Sequence, residues 1–244
     1  EILDMKGGIG MGFMPTGAFG MNIPIITKDN FVPNDEDIFV ITGKDKQRLI
    51  FGEPLEFEAE EIKHGEEFKH YLEDNDLSVP ETYDFREQFR FYQGCNYDPK
   101  MTYEGILENH QFISENIPVE VEGVEEFLQN GMVYFYKRDI HFRPVCIINV
   151  KKLVNADIEE DQILKITIAM ADFVTKNGLR PGAIENWTVI LDLKSVGITE
   201  IPKKKLQALV STLQSNFRGR LYKLYAINMP FMLRAIWSLV KGMC

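Results

Sequence analysis

The second half of this chain alternates short, continuously apolar runs with longer segments of helical period, and that alternation restricts its fold more than any other feature. Val145-Cys146-Ile147-Ile148-Asn149-Val150, Trp187 to Leu193 and Leu224 to Asn228 read as three strands. Between them, 157–176 and 202–217 carry helical periodicity. The first of these has apolar groups on most of its circumference (Ile163, Leu164, Ile166, Ile168, Met170, Phe173, Val174), which predicts a largely buried helix. The second puts Leu206, Leu209, Val210 and Leu213 on one face, with Pro202 suited to its first turn. Residues 230–240 read as a last amphipathic helix. A β-α-β-α-β-α series pairs its strands in parallel through right-handed crossovers by default. Strands without polar alternation are expected where both sheet faces are covered.

Upstream, the pattern is helical. Phe68, Tyr71 and Leu72 fall at helical spacing, and Asp84 opens a stretch with Phe85, Phe89 and Tyr92 on one side. A helix is predicted over 99–115 with Ile106, Leu107, His110 and Ile113 as its stripe, stopped by Pro118. A further helix is predicted from Val121 to Tyr136. Residues 23–58 hold two β-like runs, Ile38-Phe39-Val40-Ile41 and Leu49-Ile50-Phe51, expected as a hairpin or clamp. Residues 1–22, rich in Gly and Met, read as a tail or an arm laid on a partner, because repeated Gly raises the cost of ordering. The fold class expected is α/β, with an N-terminal helical part followed by a mostly parallel β-α-β-α-β layer and a gate-like helix. The expected organisation is an arm and short β-like extension over 1–64, a helical part over 65–138 and an α/β domain over 139–244.

Charge and motifs then remove function classes. The net charge of -10 argues against a nucleic-acid partner, which requires a basic footprint. Acid is concentrated between Glu53 and Glu87, whereas 201–244 contains no Asp or Glu and eight basic residues, a composition suited to anionic lipid headgroups. The Gly-rich start has neither the G-x-G-x-x-G nor the phosphate-loop spacing. His64, His70, His110 and His141 form no H-E-x-x-H, no Cys pair has ligand spacing, and no G-x-S-x-G elbow is present, so neither a metal site nor a catalytic residue is assigned. Asp192, at the end of an apolar strand, is read as pinning the loop after it rather than as a catalytic group. Three scattered cysteines imply no disulfide framework and suit a reducing compartment. No apolar run is long enough to span a bilayer. The start at Glu1 is read as that of a fragment.

Four stretches carry a family resemblance. Arg218 to Lys241 (RGRLYKLYAINMPFMLRAIWSLVK) resembles the strand, Asn-x-Pro-Phe turn and following helix of the CRAL-TRIO domain, best known from yeast phosphatidylinositol-transfer protein. Trp187 to Lys194 is similar to that family's "DLKG" strand, and Tyr134 to Val145 to its "YGRDKEGRPV" lead-in. Phe89 to Asp98 resembles the "LRFLRARKFDV" of its helical part. The resemblance spans about Gly65 to Cys244. Departures fall at the residues aligned with the family's headgroup and turn positions: Arg218 and Gly219 in place of Pro-Glu, Ser195 and Phe142 in place of Gly, and Gln93-Gly94-Cys95 in place of Arg-Ala-Arg. The family's remaining C-terminal strand and helices do not follow.

The resemblance implies a non-enzymatic protein that binds, transfers or presents a lipid or other small hydrophobic ligand, in a pocket between sheet and gate helix. It implies no cofactor beyond that ligand, a transient membrane surface as partner, and a cytoplasmic location, peripheral on membranes. The pocket groups expected are Ile147, Asn149, Val189, Leu191, Tyr225, Ile227, Phe231, Ile236 and Trp237. Strand side chains alternate, so only one alternating subset of the strand residues can line a single cavity. Headgroup or membrane contact is expected from Arg218, Arg220, Arg234 and Lys241. The alternative is a scaffold subunit of a larger assembly, with degenerate ligand binding and protein partners reached through 1–64.

Overall fold

The computed structural model describes residues 31–42, 45–120, 122, 124–197, 200 and 203–229. The Gly/Met-rich stretch and the last predicted helix lie outside them. The chain opens with a one-turn helix, α1 (Asp35–Ile38), and a hairpin of β1 (Phe39–Thr42) with β2 (Asp45–Arg48). Its second strand is the polar 45–48 stretch. The predicted Leu49-Ile50-Phe51 run instead continues past the hairpin as buried chain without strand pairing.

Three helices follow: α2 (Ala59–Asp74), α3 (Phe85–Gly94) and α4 (Pro99–Asn116). Asp84 caps α3 by accepting from the Glu87 amide at 2.9 Å. Asp98 does the same for α4 from Met101, with Pro99 at the first helical position. Their apolar stripes meet in a small aromatic core of Phe68, Leu72, Tyr83, Phe91, Tyr92 and Ile106.

The predicted helix over 121–136 is corrected by the structure. Only α5 (Glu125–Gln129) is helical, and β3 (Val133–Arg138) replaces the rest. Gly131, at φ +72°, turns the chain out of the helix. Val133, Tyr134, Phe135 and Tyr136 are then β-branched or aromatic and alternate across a sheet. The rest is α/β: β4 (Pro144–Asn149), α6 (Val150–Asn155), α7 (Glu160–Asn177), β5 (Trp187–Asp192), α8 (Lys203–Asn216) and β6 (Leu221–Ile227). The one-turn-and-a-half α6 was not expected; Asn149 caps it by accepting from the Lys152 amide at 3.0 Å. The third strand starts at Leu221, three residues before its predicted start. The sheet order is β3-β4-β5-β6, with β3 antiparallel to β4 and the other pairs parallel as predicted. Helix α7 packs Ile163, Ile166, Met170 and Val174 against Phe135, Trp187 and Val189 in the main core, and Leu209 and Leu213 of α8 join it.

One buried carboxylate ties the three parts together. Glu185, 2% exposed, accepts from the amides of Phe51 (3.1 Å), Gly52 (2.6 Å) and Gly182 (2.8 Å) and from the Arg90 guanidinium, with Arg220 at 3.6 Å. Burial pushes its pKa up, but Arg90, Arg220 and the Gly182 amide outweigh that and hold it below the ordinary carboxylate value. Nearby, Asn186 donates to the Leu49 carbonyl at 3.1 Å, and Gln93 exchanges two hydrogen bonds with the Arg48 backbone. The segment after the hairpin is therefore fixed to both the helical part and the sheet. Further along the same junction, Asn109 donates to the Asn216 carbonyl at 3.1 Å.

Candidate ligand-binding site

The sheet register sorts its side chains into two sets. Tyr134, Ile147, Ile190 and Tyr225 form a straight row across all four strands, and Asn149, Asp192 and Ile227 form the next. The second row lies at the C-terminal ends of the three parallel strands, the edge where α/β sheets commonly hold ligands. Among the described residues this face is only partly covered: Ile147 and Ile190 are half-buried, while Tyr225 and Ile227 are 48% and 44% exposed. The polar groups of the second row have local duties. Asn149 caps α6. Asp192 accepts from the Lys194 amide at 3.0 Å and from Asn228 Nδ2 at 2.8 Å, the loop-pinning role read from the sequence.

The other face looks into the helices. Phe135, Cys146, Val189 and Leu224 form one row and Val133, Ile148, Leu191 and Ala226 the next. Between this face and α7 and α8 lies an apolar cavity of about 640 Å³. Its walls are Cys146, Ile148, Val189 and Leu191 from the sheet, Ile163, Ile166 and Met170 from α7, and Leu209, Val210 and Leu213 from α8. Burial in this surrounding pushes the Cys146 thiol up to about 12, so it acts as a small apolar wall group without thiolate reactivity. Ser215 and Gln214, both exposed, and the half-buried Arg218 border the cavity where it meets solvent.

The strand groups expected to share one pocket are thus divided. Val189 and Leu191 line the helix-side cavity; Ile147, Asn149, Tyr225 and Ile227 stand on the opposite face. Phe231, Ile236, Trp237, Arg234 and Lys241 lie outside the described residues. Cys146 and Ile148 are cavity groups that sequence reading missed. Alternation from Val189 identifies them once the β4–β5 register is known, but nothing in the sequence supplies that register. Arg220, expected at headgroup level, is mostly buried. It bonds the Glu185 carbonyl at 3.3 Å and pairs with Glu87 at 3.5 Å. Burial and then the Arg90 charge push its pKa down to about 10, against the pull of Glu87 and Glu185. Arg218 lies over the Phe91 ring and donates to the Gly94 carbonyl at 3.2 Å. No helix of the described residues is long and apolar enough to cross a membrane, and no cluster of three metal-ligating side chains occurs among them.

Comparison with known proteins agrees with this architecture. A family model for the CRAL/TRIO domain matches residues 128–244. The Sec14 cytosolic factor of Schizosaccharomyces pombe is 30% identical over 121 residues, covering 45% of this chain and 42% of that protein. A CRAL-TRIO domain-containing protein of the same yeast is 21% identical over 115 residues, 47% of this chain and 26% of that protein. The chain spans less than half the length of these curated relatives. The crystal structure of Sfh5 superimposes with a TM-score of 0.57 at 15% identity, covering 78% of each chain, a likeness of fold. The match over residues 128–244 makes the α/β part of this chain a CRAL-TRIO domain, and the fold of the chain as a whole is similar to that of Sfh5.

Proposed function

We propose that this protein binds a lipid or another small hydrophobic molecule without chemically changing it, and passes it between, or presents it at, membrane surfaces. The observation that carries this reading is the row Tyr134–Ile147–Ile190–Tyr225, continued by Ile227: an apolar strip on the sheet that the described residues leave partly open. In the proposed arrangement the ligand lies on this strip beneath residues 230–240, where Phe231, Ile236 and Trp237 supply the opposing apolar face and Arg234 and Lys241 meet headgroups. Burial of the ligand's apolar surface would drive binding, at roughly 25 cal/mol per Å². The name of the yeast relative, a cytosolic factor, supports a cytoplasmic protein; transient visits to membranes follow from the proposed transfer role. Protein partners would be met through residues 1–64, where Val32 and Ile41 stand 81% and 71% exposed.

The test is native mass spectrometry of the purified protein, then lipid uptake from mixed liposomes by wild type and by Ile227→Asp. Ile227 is nearly half exposed, so the substitution leaves the fold intact while placing a carboxylate on the strip. Uptake should fall at least about tenfold, since a desolvated charge costs far more than the apolar contact it replaces. A stoichiometric co-purifying lipid lost in the variant supports the reading. Neither bound lipid nor uptake in the wild type would overturn it in favour of a scaffold role.

A further inference from the structure

The hairpin of β1 and β2 is a two-stranded ribbon, and two strands alone are marginal in water. Its two outer edges differ. In an antiparallel pair, residues alternate between bonding across the ladder and pointing outward. The Leu49 amide donates to the Ile38 carbonyl at 2.6 Å, which fixes the phase: Val40 and Gln47 bond inward, while Phe39, Ile41 and Arg48 point outward. On the β2 edge, Gln93 meets the outward groups of Arg48 at 2.7 and 3.0 Å. On the β1 edge, the Phe39 amide turns back to the Asp35 carbonyl and closes α1. The Phe39 carbonyl and both backbone groups of Ile41 have no partner among the described residues.

Exposed edges are ordinarily blunted by a charge, a Pro or a bulge. The outer strand β3 has such a device: its register slips between Phe135 and Arg138, with Lys137 at φ +57°. Strand β1 has none. Its residues, Phe39-Val40-Ile41-Thr42, are uncharged β-formers in continuous register, and Ile41 is 71% exposed.

We propose that β1 pairs antiparallel with β1 of a second copy of this chain, joining two hairpins into one four-stranded sheet about a two-fold axis between the Val40 residues. The Ile41 amide of each copy donates to the Phe39 carbonyl of the other. Phe39 and Ile41 then stand opposite each other twice, as aromatic–β-branched cross-strand pairs. A two-fold interface must be self-complementary, and this one is. Acidic Asp35 and Glu36 precede β1, and the net-basic stretch Lys44-Asp45-Lys46 follows it, so antiparallel pairing sets the acidic end of one copy beside the basic end of the other. The contact is smaller than the roughly 1,200–2,000 Å² of a stable interface, so the dimer is reversible, with Kd on the order of 10–100 μM. This inference rests on the proposed partner surface at residues 1–64, whose occupant it names, and is independent of lipid binding.

The experiment is sedimentation velocity of the full chain from about 5 to 500 μM, a range that brackets the expected Kd. Wild type should pass from monomer towards dimer, and Ile41→Pro should stay monomeric throughout. Proline removes the outward amide without touching a bond inside the hairpin, and edge strands tolerate it. Hydrogen exchange supplies a readout that needs no variant: the Ile41 amide should exchange about threefold or more slowly at the higher concentration. A wild type that is monomeric throughout overturns the pairing, as does an Ile41→Pro variant that dimerises equally well. An Ile41 amide with the same exchange rate at both concentrations overturns the second copy as the occupant of this edge. Lipid uptake is read separately: a monomeric wild type that takes up lipid overturns the pairing and leaves the lipid reading intact.

Discussion

Glu185→Gln should lower the unfolding free energy by about 3–5 kcal/mol, read as a fall in the urea midpoint at neutral pH. Removing one partner of a buried ion pair costs this much because the other charge stays buried and uncompensated. Here Arg90, 4% exposed and with one nitrogen unpaired among the described residues, would lose the only buried carboxylate that these residues give it, and an amide NH2 cannot accept from the Phe51, Gly52 and Gly182 amides as two carboxylate oxygens do. Against a typical total of roughly 5–15 kcal/mol, the loss is large. It also has a pH signature. The folded-state pKa of Glu185 lies below its unfolded value, so its contribution is fully present above the usual carboxylate pKa of about 4.3 and is lost as pH falls through the folded value. Wild-type stability should therefore decline on acidification more steeply than that of the variant. Parallel slopes in that acid range would remove the electrostatic role assigned to Glu185.

Gly182→Ala should cost about 3 kcal/mol or more, whereas Gly131→Ala should cost only about 1–2 kcal/mol. Both glycines have positive φ, +70° and +72°, which alone penalises an L side chain by about 1–2 kcal/mol. Their surroundings separate them. A Cβ on Gly182 would sit 1.6 Å from the Glu53 carbonyl oxygen, a backbone atom that moves only if the whole corner opens. A Cβ on Gly131 would meet only the Lys152 ammonium at 3.2 Å, the far end of a flexible side chain that donates to the Asn130 carbonyl at 2.6 Å. Overpacking adds about 1–3 kcal/mol in the first case and little in the second. Equal midpoints for the two variants would show that residues 52–53 do not press on Gly182.

Much of this fold is legible in the chain because local signals and tertiary packing agree. Asp84, Asp98 and Pro99 mark helix starts that the structure keeps, and the apolar circumference of α7 matches its burial. The parallel core followed from three apolar runs. Strand β3 is hidden in the sequence because Val133 to Tyr136 directly follows a short helical pattern, and the single glycine between them, Gly131, is a weak local signal of the turn. The site was legible only in part. Apolar runs have no polar residues to show which side chains share a face, so Ile147 and Val189 read alike although they point to opposite sides of the sheet. Arg220 looked like a surface cation because the two carboxylates that hold it, Glu87 and Glu185, lie far from it in sequence.

The family match begins at residue 128, but the corner at Glu185 is completed by Phe51, Gly52 and Arg90, and the Arg218 side chain rests on Phe91 and Gly94. A piece cut at residue 128 would keep a buried carboxylate stripped of the Arg90 guanidinium and of two amides, and the Arg218 guanidinium without its aromatic seat. In this protein the stretch matched by the family model is shorter than the unit of folding. The segments ahead of the matched domain are structural members, and a truncation chosen from sequence similarity alone would cut through a load path of the native state.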